Sequence, residues 1–273
     1  MTFSFTSHAK WILLGEHAVL RGHPAIVFPK KDYQLTLTYH PDESPLRVSF
    51  KPHNITLEKA IKKLLEHEYL KRNITALRGH VTFDNKIPIG KGFGFSAALS
   101  ICIAQLLHHH HSCDSIYLEA KSIEDYFHGQ SSGLDIVGCM SDEPVLFQDG
   151  QFFKLHSQLM PNIRWIDSGP SKMSSVCINQ VKRLFDVDPK LASFLDEKMH
   201  KATLLAKNAL QNGSQEELVK AIHLGNECFE KWQLISPSMQ ADIDDQKAQG
   251  ALACKPSGAG LGGLIIALFP NKS

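Results

Sequence analysis

Three stretches of the sequence hold chemically capable residues at spacings that let them act together. In "IPIGKGFGFSAALSICIAQLL", Ile87–Leu107, glycines stand at alternate positions 90, 92 and 94, just ahead of an apolar helix-like run with one early hydroxyl, Ser96. Glycine lets backbone N–H groups approach an anion with no Cβ in the way, and a helix N-terminus adds about half a unit of positive charge. The turn therefore has the parts of a phosphate cradle. Its spacing is neither G-x-x-x-x-G-K-[ST] nor G-x-G-x-x-G, so from the glycines alone a ligand-free strand-to-helix turn is an equal reading. In "EDYFHGQSSGLD", Glu124–Asp135, a helix with Glu124 and His128 on one face runs into a Gly and Ser turn, and Asp135 opens the next apolar segment. Two carboxylates separated by a turn suit a metal ligand and a base; a solvated helix end with a capping Asp is the plainer alternative. The third stretch, "KPSGAGLGG", Lys255–Gly263, is a second Gly-rich loop between strand-like segments. Phosphate cradle, metal ligand and base in one chain are the parts that phosphoryl transfer from a nucleotide requires.

Composition narrows the partners. Lys and Arg (29) nearly balance Asp and Glu (28), so net charge gives no reason to expect nucleic acid or an anionic membrane, and a small-molecule substrate fits better. Six scattered cysteines without a CxxC pair read as reduced thiols, hence a cytoplasmic setting. The N-terminus has no basic region followed by a long apolar stretch, and no uninterrupted apolar segment reaches the ~18 residues of a membrane span, so a soluble, unprocessed chain with no membrane partner is expected. A length of 273 residues implies two packed domains or one large one.

Elements must hold these residues in place. "KWILL" (Lys10–Leu14), "YQLTLTY" (Tyr33–Tyr39), "LRVSF" (Leu46–Phe50) and "HVTFD" after Gly79 have the short alternating or apolar character of strands. Thr56 is expected to cap the helix "LEKAIKKLLEHEYLK". Asp188-Pro189 and Ser214 are expected to open two long amphipathic helices, which make the second half mostly helical. A boundary after "QFFKLH" divides the chain into 1–157 and 158–273. The His108–His111 run falls where the helix after Ser96 should finish; consecutive side chains point round a helix, so cations at a helix C-terminus are preferred to a metal site.

"KWILLGEHAVLRGHPAI" (Lys10–Ile26), "PIGKGFGFSAALS" (Pro88–Ser100) and "KPSGAGLGG" resemble, in order, the three signature segments of the GHMP small-molecule kinases; the GEHAV segment, Gly15–Val19, is most similar to the mevalonate kinase branch. The resemblance covers nearly the whole chain. It implies an α+β, two-domain GHMP kinase fold: an N-terminal half like ribosomal protein S5 domain 2 and a helix-rich, ferredoxin-like C-terminal half. It also implies ATP and Mg²⁺ as cofactors and mevalonate as substrate, phosphorylated on its primary hydroxyl. Residue by residue, it places Asn85, Gly90, Lys91, Gly92, Phe93, Gly94, Phe95 and Ser96 around the nucleotide, and Ser96 and Glu124 on the metal. Asp135 matches the catalytic aspartate and Lys10 the lysine beside it. Glu16 and His17 match the segment that faces the substrate and lysine, and Ser257, Gly258 and Ala259 the loop that closes over the site.

The sequence also departs from that pattern. Phe95 stands where the family has a serine in G-L-G-S-S-A, "DSGPSKMSS" (Asp167–Ser175) matches T-G-x-P-[RS]-x-T only with a shifted proline, and Lys172 and Ser174 are the nearest equivalents there. The sequence stops at Ser273, soon after the third loop, where family members continue with a helix and strand. A smaller second sheet is expected, with an edge for a partner such as a second copy in a homodimer. The alternatives are a relative acting on phosphomevalonate or another small hydroxylated acid, and a catalytically silent GHMP-fold binding protein.

Overall fold

The computed structural model of the protein describes residues 1–73, 75–110, 115–129, 131–170 and 172–271. His111, Cys113 and the side chain of His128 lie outside the described residues. The first half is organised on one long strand, β2 (Ala25–Pro45). Along one side β2 pairs antiparallel with β1 (Phe3–Leu14), from Phe3↔Tyr39 to Leu14↔Ile26. On its other side, β2 pairs with β5 (Val145–Gln148) at its start and with β4 (Arg78–Asn85) at its end. β3 (Arg47–Lys51) lies parallel to β4, and β6 (Gln151–Lys154) completes the six-stranded sheet beside β5.

β1 alternates between inward and outward side chains at its start and is buried throughout from Ala9 to Leu14. That change marks where other layers cover both faces. Helices α2 (Phe95–His110) and α4 (Leu134–Met140) pack on it, while α1 (Ile55–Arg72) lies on β3 and α3 (Ile116–His128) on α2. α2 is apolar on nearly every side, with Ala97, Ala98, Cys102, Ile103 and Ala104 fully buried, as expected of a core helix. α1 is capped by Asn54, whose side chain accepts from Leu57 N at 3.1 Å, not by Thr56. The helix begins two residues earlier than the apolar period implies, which leaves Asn54 in the extended conformation of an N-cap and Thr56 inside the first turn.

The second half is a three-stranded antiparallel sheet in the order β7 (Ile163–Asp167), β9 (Leu264–Leu268), β8 (Ala253–Ser257). It is packed with α5 (Ser174–Val187), α6 (Pro189–Asn212), α7 (Gln215–Lys231) and α8 (Pro237–Ala248). Asp188 and Ser214 cap α6 and α7 as the sequence suggests, accepting from Leu191 N at 3.0 Å and Glu217 N at 3.3 Å. The segment between Lys154 and Ile163 joins the two sheets, and the expected division at residue 157 falls within it. The core is continuous across both halves. Where α7 crosses β1, Gly225 admits no side chain, because a Cβ there would lie 2.3 Å from Leu14 Cδ2. Among the described residues five cysteines are buried and unbridged, and no helix is long and apolar enough to cross a membrane.

Candidate active site

The two halves enclose a cleft of about 380 Å³ into which the end of β1, the glycine turn before α2, the start of α4 and the third glycine loop all open. Lys10 reaches it from the middle of β1, with its side chain only 2% exposed. Its Nζ lies 2.9 Å from Asp135 Oδ1 and 3.1 Å from the carbonyl of Gly92. Two glycines make room for its stem: a Cβ at Gly94 would sit 2.9 Å from Lys10 Cε, and one at Gly138 3.0 Å from Lys10 Cβ. Asp135 is the second residue of α4, after Gly133 with φ +85°, and its side chain is one-third exposed to the cleft.

Glu124, near the end of α3, also lines the cleft but is 3% exposed, and its Oε2 has no hydrogen-bond partner among the described residues. Its pKa is raised from 4.5 to about 8, by burial first and the charge of Asp135 second, with the charge of Lys10 opposing both. With its pKa raised so far, the Glu124 carboxyl is largely protonated at neutral pH beside the Lys10–Asp135 pair, and its Oε2 is unpartnered among the described residues. A bound cation would displace that proton and take the open oxygen. The hydroxyl-bearing Ser96, in the first turn of α2, lies on the same cleft. Mg²⁺ is typically held through one or two protein oxygens plus substrate phosphates, so the donor set here fits it.

The turn before α2 is left-handed at alternate residues, with φ +72° at Gly90, +83° at Gly92 and +79° at Gly94, a backbone that L side chains rarely adopt. The residues between the glycines turn to other tasks. Phe93 is buried, its ring edge-on to Tyr33, and only its carbonyl contributes, accepting from Lys10 N at 3.0 Å. Phe95 borders the cleft and packs edge-on against Phe50 at 5.9 Å. Lys91 pairs with Asp167 of β7 at 2.9 Å. Asn85 stands outside the cleft lining: its side chain bonds Ile87 N at 3.0 Å and Ile87 O at 2.8 Å, closing the turn after β4. Within the segment expected to surround a nucleotide through its backbone, the side chains of Phe93 and Asn85 are engaged by their own neighbours and do not line the cleft.

The lysine that Glu16 meets is Lys255, not Lys10. Lys255 Nζ lies 2.6 Å from Glu16 Oε1, with both residues buried, and Gly258 N approaches the same oxygen at 3.5 Å. Burial raises the pKa of Glu16 and lowers that of Lys255, and in each case the partner's charge opposes the shift. Glu16 Oε2 is buried without a partner among the described residues. Lys255 heads the third glycine segment, so its position was visible in the sequence, but nothing local pairs it with a residue 239 positions away. His17 has φ +61° and lies between the edges of Phe229 and Trp232. Burial lowers its pKa to about 4, so at neutral pH the ring is uncharged and its Nε2–H donates to the carbonyl of Ala259 at 2.9 Å. Ser257 lines the cleft, but its hydroxyl accepts from Ile12 N at 2.9 Å and donates to Ile12 O at 2.8 Å. It was expected on the substrate side of the site; its hydroxyl fastens β8 to β1. Lys172 and Ser174, matched only loosely by sequence, both reach the cleft.

Known proteins share this architecture. Residues 56–143 match the GHMP kinases N terminal domain. The mevalonate kinase of Pyrococcus furiosus is 27% identical over 97% of this chain and 88% of its own. The L. major mevalonate kinase, solved in complex with R-mevalonate, aligns with a TM-score of 0.84 at 20% identity, covering 100% of this chain and 88% of that one. A Streptococcus pneumoniae phosphomevalonate kinase, solved with phosphomevalonate and AMPPNP, aligns with a TM-score of 0.80 at 15% identity, covering 99% and 93%. With residues 56–143 matching the GHMP kinase N-terminal model and the fold shared over essentially the full length, the chain has the fold of the GHMP kinases and is similar in sequence to mevalonate kinases.

Proposed function

We propose that the protein is an ATP- and Mg²⁺-dependent kinase that phosphorylates the primary hydroxyl of mevalonate, giving 5-phosphomevalonate. The observation that carries this reading is the Lys10–Asp135 pair at 2.9 Å, held at the rim of a cleft between two glycine loops. In this reading Asp135 accepts the proton of the attacking hydroxyl. Lys10 orients the carboxylate, and its ammonium offsets negative charge that builds on the transferred group. Backbone N–H groups of the Gly90–Ser96 turn and the N-terminus of α2 receive the nucleotide's phosphates. Ser96 and Glu124 hold Mg²⁺, whose contribution when bound is to neutralise phosphate charge. Glu16, fixed by Lys255, and Gly258 and Ala259 of the third loop, fixed by His17, form the wall toward the acceptor. Kinase chemistry is preferred to silent binding because an ion pair, Lys10–Asp135, and a buried carboxyl with a strongly raised pKa, Glu124, stand together in a partly dry site at a cost in desolvation that binding alone does not need.

An ADP-release assay with ATP, Mg²⁺ and a panel of mevalonate, phosphomevalonate, homoserine and galactose tests the reading. ADP release with mevalonate, abolished by chelating the metal, is the expected result. Release with phosphomevalonate alone would reassign the acceptor; no release with any acceptor, together with no rise in melting temperature at millimolar ATP and Mg²⁺, would favour the silent-binding alternative.

A further inference from the structure

Among the ion pairs that join the two halves, Lys91–Asp167 is an exposed one beside the cleft. Lys91 stands between Gly90 and Gly92, both of which line the cleft, and its Nζ lies 2.9 Å from Oδ2 of Asp167, the last residue of β7. The other oxygen of Asp167, Oδ1, accepts from Gly169 N at 3.0 Å. The same turn is bonded to the third glycine loop: Ser168 N donates to Gly263 O at 2.8 Å, and Gly263 N to Gly169 O at 3.1 Å. The glycine turn itself touches that loop, since a Cβ at Gly92 would lie 3.2 Å from the carbonyl of Ser257. Lys91 and Asp167 are therefore a charged contact between the glycine turn, which borders the cleft, and the turn after β7, which is bonded to the third loop.

The pair is wet, with side chains 30% and 54% exposed, so separating it costs little. A nucleotide triphosphate held by the neighbouring backbone would present several negative charges to the same ammonium, against one on the carboxylate. Resting on the reading that phosphates bind at Gly90–Ser96, we propose that Asp167 is an intramolecular competitor for Lys91. The ammonium exchanges the carboxylate for phosphate when nucleotide binds, so Asp167 weakens the affinity for nucleoside di- and triphosphates. Exchange also releases the charged tie between the glycine turn and the β7 turn, so nucleotide binding loosens one contact between the halves while filling the cleft.

Titration calorimetry of the full chain with ATP, ADP and adenosine in Mg²⁺ buffer tests this. Asp167→Asn keeps the Oδ1 acceptor for Gly169 and removes the charge. It should tighten ATP and ADP by about two- to fivefold, the scale of an exposed ion pair, and leave adenosine unchanged. KM for ATP should fall with KM for mevalonate unmoved. Lys91→Met should weaken ATP, and adding Asp167→Asn to it should change nothing further, because the two residues act through one contact. Weaker or unchanged ATP binding in Asp167→Asn, in a protein that melts like the parent, would overturn the proposal and make Asp167 a positioner of Lys91. Equal tightening of adenosine would overturn it too. Failure of the parent itself to bind ATP would overturn the kinase reading, and this inference with it.

Discussion

Asp135 and Lys10 come from elements 125 residues apart in the chain, yet their charged atoms meet at 2.9 Å. Asp135→Asn keeps the side-chain shape and removes both base and charge. Turnover should fall by about 10²–10⁴, measured as ADP release, with the melting temperature and its response to ATP retained. Near-parental turnover would remove Asp135 from the base role. His17 makes a different kind of statement at this scale, because its neutral ring is a consequence of burial. Its pKa is 6.5 in the unfolded chain and about 4 in the folded protein. Between those values the unfolded state takes up a proton that the folded state refuses, so this group's contribution to stability is full above pH 6.5 and is lost as pH falls toward 4. The loss amounts to about 3 kcal/mol. Urea unfolding at pH 7.5 and pH 4.5 should show a smaller acid loss in His17→Asn than in the parent; equal losses would mean that the ring titrates freely in the folded protein.

At the scale of elements, the turn before α2 shows how one short segment serves several tasks. Its glycines take the left-handed backbone, its carbonyls at Gly92 and Phe93 hold Lys10, and its side chains face the core or the opposite half. Phe95, the odd residue against the family pattern, meets Phe50 on β3 and is packed against the main core. The structure thus favours packing as the role of the ring, while its other face borders the cleft. Phe95→Ser should destabilise the protein by about 2 kcal/mol, less than the truncation of a fully buried ring, and Phe95→Leu by less again. Thermal or urea unfolding reads this directly, and a Phe95→Ser protein as stable as the parent would show that the ring contributes little to the core.

For the whole molecule, the site exists only because the two halves are held in register. Ser257 does this through the backbone of Ile12, His17 through Ala259, and Glu16 through Lys255, three contacts that run from the end of β1 and the turn after it to the third loop. Ser257→Ala would leave the buried N–H and carbonyl of Ile12 without that partner, at about 1–3 kcal/mol for each group. The expected result is a lower urea midpoint and faster amide exchange in β8 and the end of β1. Activity should fall where the loosened halves no longer bring Asp135 and the third loop to one cleft. Unchanged exchange at Ile12 would show that the hydroxyl is not a fastening.

Strands, long helices and two of the three expected helix caps were legible in the sequence because they depend on residues close in the chain: alternation in β1 and β2, Asp188-Pro189 before α6, Ser214 before α7. The alternating glycines at 90, 92 and 94 were legible for the same reason, since a left-handed backbone is a local demand. Which residue faces the cleft was not local. Phe93 and Asn85 lie in or beside the same segment as Ser96 and turn away from it, and Ser257 gives its hydroxyl to β1. Lys91 finds its partner on β7, Glu16 finds Lys255 on β8, and Glu124 acquires its raised pKa from burial beside Asp135. Sequence by itself determined the elements and the residue types that could do the chemistry. Only the tertiary structure decided partners, burial and charge state, because side-chain contacts and desolvation depend on which distant segments the fold packs against each group.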